Sequence, residues 1–318
     1  MTIHPKETNI ESRARVPIKS LRDLEYRLGE NRETLRALAK NWRSEYSPFQ
    51  QAKTPKPFQR SIVARKIRDI DNPSEELKRV QTKILKRLLL PVQLPHFLFG
   101  AVSNRCVRKH AVEHLGSRLV VKMDVKSYYP NVTTHHVYAV WTKVLGYSPA
   151  ISSLLTALTT YEWHLPQGAP TSPALANLFL ASIYDPILDV CSATGIKATA
   201  WVDDLIFSGE KARSVMELVR QTLADNGFKL SAKKRVILTG CQPKIITGVR
   251  LGAGRIRAPK EKLHDIRAAI HKLEIGGVDP DKRERYILSL NGRLGHVQRI
   301  CASDAAPLIA RLQSASAA

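Results

Sequence analysis

Apolar residues recur at helical spacing near the start of the chain, where Leu21, Leu24 and Leu28 follow Ser20, and Leu35 and Leu38 follow Asn31. Ser and Asn side chains satisfy the free N–H groups of a first helical turn, so two helices are predicted, opened by Ser20 and Asn31 with these leucines inside. The pattern then lapses. Residues 47–57, rich in Pro, Gln and Lys, read as a loop, Ser61-Ile62-Val63-Ala64 as a short strand, and 69–73 as a turn. Periodicity returns at Ser74, which caps a helix with Leu77, Val80, Ile84, Leu88 and Leu89 on one face and a stop at Pro91. Further on, Arg118-Leu119-Val120-Val121-Lys122-Met123 suits a buried strand, and the apolar residues flanking Asp203-Asp204 read as two short strands. Thr171 or Ser172 caps a helix whose first position is Pro173, with Leu175, Leu178, Phe179 and Ile183 at helical spacing. Helices are also predicted over 215–226, with Ser214 as cap and Gly227 at its left-handed end, from Pro259 through Leu273, and over 284–300. No repeat or low-complexity segment interrupts this order.

Two places in the pattern carry chemistry. The strand over 118–123 ends in Asp124, and Asp203-Asp204 stands between two runs of apolar and β-branched residues with no Gly, Asn or Pro at the tip. Strand interiors disfavour aspartate, and adjacent ionised carboxylates repel unless a cation separates them. A solvated turn accounts for an isolated Asp-Asp pair. A third carboxylate in a matching context instead suits two Mg²⁺ ions about 3.5 to 4 Å apart that promote in-line phosphoryl transfer. Alternating Asp and Asn of a calcium loop are absent. Between the two places, residues 165–178 form a Pro-stiffened loop in which Gly168 allows close approach to the backbone.

Together these segments resemble the sequence blocks of reverse transcriptases. Asp124-Val125-Lys126-Ser127-Tyr128-Tyr129-Pro130 is similar to the first block, residues 165–177 to the second, and Trp201-Val202-Asp203-Asp204 to the third, with Trp201 where the family usually has Tyr. Lys233-Lys234-Arg235 and Ile246-Thr247-Gly248 resemble the blocks that follow. The resemblance runs from about Arg68 to about Arg299 and implies an α+β right-hand polymerase. Its parts are N-terminal helices and a linker (1–60), fingers (61–118), a palm with an antiparallel sheet and helices on one face (119–250), and a small helical thumb (251–318).

By the same resemblance, Asp124, Asp203, Asp204 and the Val125 carbonyl hold two Mg²⁺ ions. Neighbouring residues on a strand point to opposite faces, which leaves Asp204 a role in orienting the turn, although the family uses both carboxylates of the pair. Tyr129 matches the steric gate that excludes ribonucleotides, Gln167 and Gly168 the loop near the incoming nucleotide, Lys234 a proton donor to the departing pyrophosphate, and Arg68 the fingers arginine on the triphosphate. A packed aromatic, a surface amide, a solvated lysine and a turn arginine are the ordinary alternatives at those positions. His110-Ala111-Val112-Glu113-His114 lies where retron enzymes carry Asn-Ala-x-x-His, and Ile246-Thr247-Gly248 resembles their Val-Thr-Gly, with His for Asn and Ile for Val. The two histidines could pair as metal ligands, but core packing or RNA contact is the preferred reading.

A retron resemblance implies a structured noncoding RNA template copied into short single-stranded DNA from deoxynucleoside triphosphates, and a separate effector protein in anti-phage defence. Other bacterial reverse transcriptase lineages, a non-catalytic RNA-binding scaffold and a palm-type nucleotide cyclase stand as rivals. The last lacks its Gly-Gly-Asp/Glu hairpin here.

Composition agrees with a polyanionic partner. Among 318 residues, 50 Lys and Arg oppose 28 Asp and Glu, a net charge of +22 spread over the whole chain. The 43% hydrophobic content suffices for a substantial core. Cys106, Cys191, Cys241 and Cys301 are widely spaced, signalling neither zinc nor a disulfide framework. With no apolar N-terminal segment and no run of membrane-spanning length, a cytoplasmic location and no membrane partner are expected. No ribonuclease H or endonuclease domain is expected within this length.

Overall fold

The computed structural model describes residues 16–52, 67–240 and 242–317, so the strand expected over 61–64 lies outside the described residues, as does Cys241. The α-helices are α1 (Leu21–Leu28), α2 (Arg32–Lys40), α3 (Glu75–Ile84), α4 (Val107–Glu113), α5 (Tyr128–Asn131), α6 (Thr134–Ala139), α7 (Pro149–Thr159), α8 (Ser172–Ile183), α9 (Asp185–Thr194), α10 (Met216–Asp225), α11 (Lys260–Glu274), α12 (Arg283–Ile300) and α13 (Ala302–Ala317). The strands are β1 (Tyr46–Ala52), β2 (Ile67–Pro73), β3 (Val120–Asp124), β4 (Lys197–Trp201), β5 (Asp204–Ser208), β6 (Val236–Leu238), β7 (Lys244–Ile246), β8 (Val249–Leu251) and β9 (Ile256–Arg257). The described residues divide into two compact units. One comprises those up to Ala52, 67–104 and 121–237, the other Arg105–Val120 and 238–317.

The helix starts read from the sequence are built as capping chemistry dictates. Ser20 accepts from the Asp23 N–H, Asn31 from that of Thr34, and Ser74 from that of Leu77, each satisfying a donor that the first turn leaves free. Leu24, Leu28, Leu35 and Leu38 are buried, while Leu21 is half-buried. At α10 the expectation fails, because the Ser214 hydroxyl donates to the Lys211 carbonyl and the helix begins at Met216 without a side-chain cap. Thr171 stands at the cap position of α8 but makes no capping bond, and the Ser172 hydroxyl donates instead to the Pro166 carbonyl at 2.7 Å.

In the first unit the sheet order is β4-β5-β3-β6, placing β3 inside the sheet. Four of the five β3 residues are buried, as a near-continuous apolar run requires. Against this sheet side Phe97 stacks on Tyr184 with ring centroids 4.4 Å apart and planes 7° from parallel, a contact of about 0.5–1.5 kcal/mol beyond its buried area. Helix α8 is almost wholly buried, and the axis bends by 63° into α9. Among the described residues no single helix is long and apolar enough to cross a membrane.

Two sequence expectations are overturned in this unit. Residues 47–52, the described part of a loop expected over 47–57, and the expected turn 69–73 lie instead in β1 and β2, which pair antiparallel from Tyr46↔Pro73 to Ala52↔Ile67. Six of the seven β1 residues are exposed. A ribbon exposed over most of its length, whose buried positions Tyr46, Asp71 and Pro73 lie toward one end, has no apolar alternation to read, and its prolines and aspartates imitate a loop.

The second unit packs α11, α12 and α13 around Ile266, Ile270, Leu290, Leu294 and Leu308. Its three strands run in the order β7-β8-β9, with α4 packed against them. His110 and His114 are fully buried there, and His110 Nδ1 lies 2.9 Å from the Thr247 hydroxyl. The two blocks around His110 and Thr247 therefore form one packed core element, which bears out the packing reading of the histidines.

Candidate active site

The end of β3 and the tip of the β4–β5 hairpin meet through the backbone. The Val125 N–H donates to the Asp203 carbonyl at 2.9 Å, so the residue after Asp124 is bonded to one of the paired aspartates. The hairpin pairs Trp201 with Asp204, leaving Val202 and Asp203 as a two-residue loop. Val202 sits at φ +57°, a left-handed conformation that a β-branched residue adopts only under constraint. That constraint is visible. A Cβ on Gly100 would come within 2.7 Å of both the Val202 nitrogen and Cγ2, and the Asn177 side-chain amide holds the Gly100 carbonyl at 2.8 Å. The Phe99 N–H donates to the Ala200 carbonyl and the Ala200 N–H to that of Phe97, fastening this segment to β4.

On the other side of Asp124, the chain returns after α10. The Lys126 N–H donates to Lys229 and the Ser231 N–H to the Asp124 carbonyl, both at 2.8 Å. This pairing carries the following turn toward the carboxylates, and the Lys234 ammonium forms an ion pair with Asp124 Oδ1. Lys233 and Lys234 look alike in sequence; the turn selects Lys234.

Electrostatics joins these groups into one site. Burial pushes the Asp203 carboxyl up, with repulsion from Asp124 adding to it, while Lys234 and Arg68 pull it back. Asp204 is also raised, by burial and then by Asp203 and Asp124, so it belongs to the cluster as well as to the turn. For Lys234, burial would lower the ammonium, but the bond and attraction of Asp124 hold it above its ordinary value. Tyr129, in the short α5 that follows Ser127 at φ +50°, is pushed up to about 12 by burial and by the Asp203 charge. Its neighbour Tyr128 is buried and donates to the Ala176 carbonyl at 2.8 Å, pinning α5 to α8.

Asp124, Asp203, Asp204 and Lys234 thus act on one another, and Asp203 also feels Arg68 and acts on Tyr129. Gln167 and Gly168 meet a different element: the Asp71 N–H donates to the Gln167 carbonyl at 2.8 Å, and Asp71 Oδ2 accepts from the Gln167 N–H at 3.0 Å. Among the described residues no three His, Cys, Asp or Glu side chains are arranged to enclose an ion, and Lys234 already occupies Asp124. The donor set nevertheless fits a hard divalent cation, since oxygen ligands are what such an ion prefers and the raised carboxyls carry repulsion that it would relieve. Sequence reading missed Gly100, Asn177 and Asp71. A glycine directly after Phe97-Leu98-Phe99 was the available signal for the first.

Residues 53–269 match the family described as reverse transcriptase (RNA-dependent DNA polymerase), well over half of the chain. Retron Ec86 reverse transcriptase of Escherichia coli is 28% identical over 72% of this chain and 73% of its own. Retron Se72 reverse transcriptase of Salmonella heidelberg (strain 579083-10) is 26% identical over 89% and 78%, and Retron Mx65 reverse transcriptase of Myxococcus xanthus 27% over 77% and 61%. Members of the family generally use divalent metal ions. With its carboxylates gathered by β3 and the β4–β5 hairpin, the chain belongs to the reverse transcriptases, as an RNA-directed DNA polymerase of the retron type.

Proposed function

We propose that this polymerase copies a structured noncoding RNA into short single-stranded DNA, using deoxynucleoside triphosphates and two Mg²⁺ ions held by Asp124, Asp203, Asp204 and the Val125 carbonyl. The observation that carries the reading is the bond from the Val125 N–H to the Asp203 carbonyl, which draws carboxylates from two distant parts of the sequence together. When bound, the ions supply charge stabilisation for an in-line phosphoryl transfer. Tyr129 forms the wall that leaves no room for a 2′-hydroxyl. Lys234, an ammonium beside Asp124, donates its proton toward the departing pyrophosphate. Arg68 and the 167–168 loop hold the triphosphate and base-paired end of the incoming nucleotide. In this reading 1–60 are N-terminal helices and a linker, 61–118 fingers, 119–250 palm with interleaved fingers elements, and 251–318 thumb.

The charge of +22 supports a nucleic-acid partner, and in the second unit an open pocket is lined by Arg250, Arg257, Lys260 and Arg267 together with Glu261 and Asp304. The setting is the cytoplasm, with a separate effector protein in anti-phage defence. Cells carrying the protein and its neighbouring noncoding RNA accumulate DNA joined to RNA through a 2′,5′ linkage, a species whose mobility shifts on treatment with debranching enzyme. Extension only from ordinary 3′ ends would remove the branched-product part of this reading. Nucleic-acid affinity falls with salt at a slope of about −0.7 to −0.9 per phosphate contact, so a flat profile contradicts the basic binding surface.

A further inference from the structure

We propose that Asp71 is a positioning residue that sets the Gln167–Gly168 loop against the strand bearing Arg68. The inference rests on the reading of Arg68 and Gln167 as nucleotide contacts and assigns what holds them in register.

Asp71 lies three residues after Arg68 on β2, with 8% of its surface exposed. It is bonded twice to Gln167, once through each backbone direction: its own N–H reaches the Gln167 carbonyl, and its carboxylate receives the Gln167 N–H. A carboxylate accepting a backbone N–H in a half-closed site is among the stronger hydrogen bonds a protein makes. Contact between strand and loop is close enough to dictate a residue type. A Cβ on Gly168 would stand 2.9 Å from the Asp71 carbonyl oxygen and 3.2 Å from Ile70 Cγ2, and Gly168 sits at φ +133°, where other residues are strained.

His164 completes the arrangement. Reciprocal backbone bonds of 2.9 Å with Tyr161 fix it, and its Nδ1 faces the Glu162 carbonyl at 2.9 Å. Because a carbonyl only accepts, Nδ1 carries a proton, and Nε2 is left facing Asp71 Oδ2 at 3.5 Å. The β1–β2 ribbon otherwise presents mostly exposed residues, so this buried carboxylate is the point at which its register becomes fixed relative to the loop.

The test is steady-state primer extension by the full chain on an RNA template, measuring KM for a deoxynucleoside triphosphate, kcat and primer–template affinity. Asp71→Ala raises KM about tenfold, the loss expected for a hydrogen bond to a charged group, with kcat and primer–template affinity little changed. Asp71→Asn, which retains an acceptor for the Gln167 N–H, recovers most of that loss, and thermal melting of both variants checks that they are folded. If Arg68→Ala and Gln167→Ala raise KM while Asp71→Ala does not, the tether is overturned and the nucleotide reading stands. If none of the three moves KM, the nucleotide reading fails and the tether falls with it. A loss confined to kcat, unrelieved in Asp71→Asn, also overturns the proposal.

Discussion

The first unit contains two antiparallel pairs of strands that deliver charged side chains, and they are built on opposite principles. The β4–β5 hairpin lies within a four-stranded sheet, and Leu205, Ile206 and Phe207 of β5 are all buried. Its tip is clamped by Gly100, Asn177 and Val125, so Asp203 inherits its position from surroundings that cannot move without breaking a packed core. The β1–β2 ribbon buries almost nothing along β1, and Arg68 faces Gln51 on an exposed stretch. Near its Tyr46–Pro73 end the ribbon is held by buried Tyr46, which accepts from the Gln81 side-chain amide, and by the Asp71 bonds to Gln167. A packed carboxylate hairpin and an exposed cation-bearing ribbon suit the different tasks proposed for them, since metal ligands need fixed geometry whereas a group that grips an incoming substrate must also release it.

The sharpest way to break this comparison is to neutralise one carboxylate in each pair. Asp203→Asn lowers primer extension on the order of a hundredfold or more, the scale of losing one charge-stabilising group in an active site, while nucleic-acid binding persists. Asp69→Asn does not, because Asp69 is exposed on the ribbon and bonded only to Gln50 among the contacts resolved here. Comparable losses from both substitutions would erase the distinction between the pairs. Asp124→Asn, which on the proposed assignment removes a metal ligand and in addition breaks the ion pair with Lys234, lowers extension at least as far as Asp203→Asn.

A smaller effect separates the two by stability. Gly100→Ala forces a methyl group against the Val202 backbone and costs about 1–3 kcal/mol, visible as a lowered melting temperature. Phe49→Ala on the ribbon removes a side chain that is 49% exposed and stays within about 0.5 kcal/mol of the parent. Equal melting shifts for the two variants would mean that the ribbon is packed as firmly as the hairpin.

The same contrast explains what the sequence disclosed. Asp124 and Asp203 were legible because each interrupts an apolar run, and burial of the run is what makes both the run and the interruption conspicuous. Helix starts at Ser20, Asn31 and Ser74 were legible because capping is local, confined to three residues. The ribbon was not, since its few buried positions, Tyr46, Asp71 and Pro73, are too few and too polar to generate an apolar period. Nor was Asp71 distinguishable from Asp69, since its partners Gln167 and His164 are remote in sequence and only the fold selects one aspartate over the other. Lys234 against Lys233 is the same case, settled by the turn after Ser231. Ser214 shows the converse, a residue with the right chemistry at the right spacing whose hydroxyl finds a nearer carbonyl.

The smallest effect concerns the junction between the two kinds of structure. The Asp71 carboxylate, 3.5 Å from Nε2, is the main cause of an upward shift in the His164 pKa, which burial opposes and the nearby Glu162 carbonyl and charge reinforce. A histidine whose folded pKa lies above its unfolded value, about 6.5, gives stability that is fully present below that value. This contribution is lost as pH rises through the raised folded pKa. Around the ring, Asp71 Oδ2 lies 3.5 Å from Nε2, the Glu162 carbonyl oxygen 2.9 Å from Nδ1, and the Tyr161 ring centroid 6.5 Å away. Denaturation midpoints taken at successive pH values from mildly acidic to mildly basic therefore decline in the parent by more than in His164→Gln, with a difference below about 1 kcal/mol for a pair that retains partial solvent access. Parallel declines in parent and variant would show that His164 does not sense Asp71, leaving the ribbon held to the loop by the two Gln167 bonds and the close contact at Gly168.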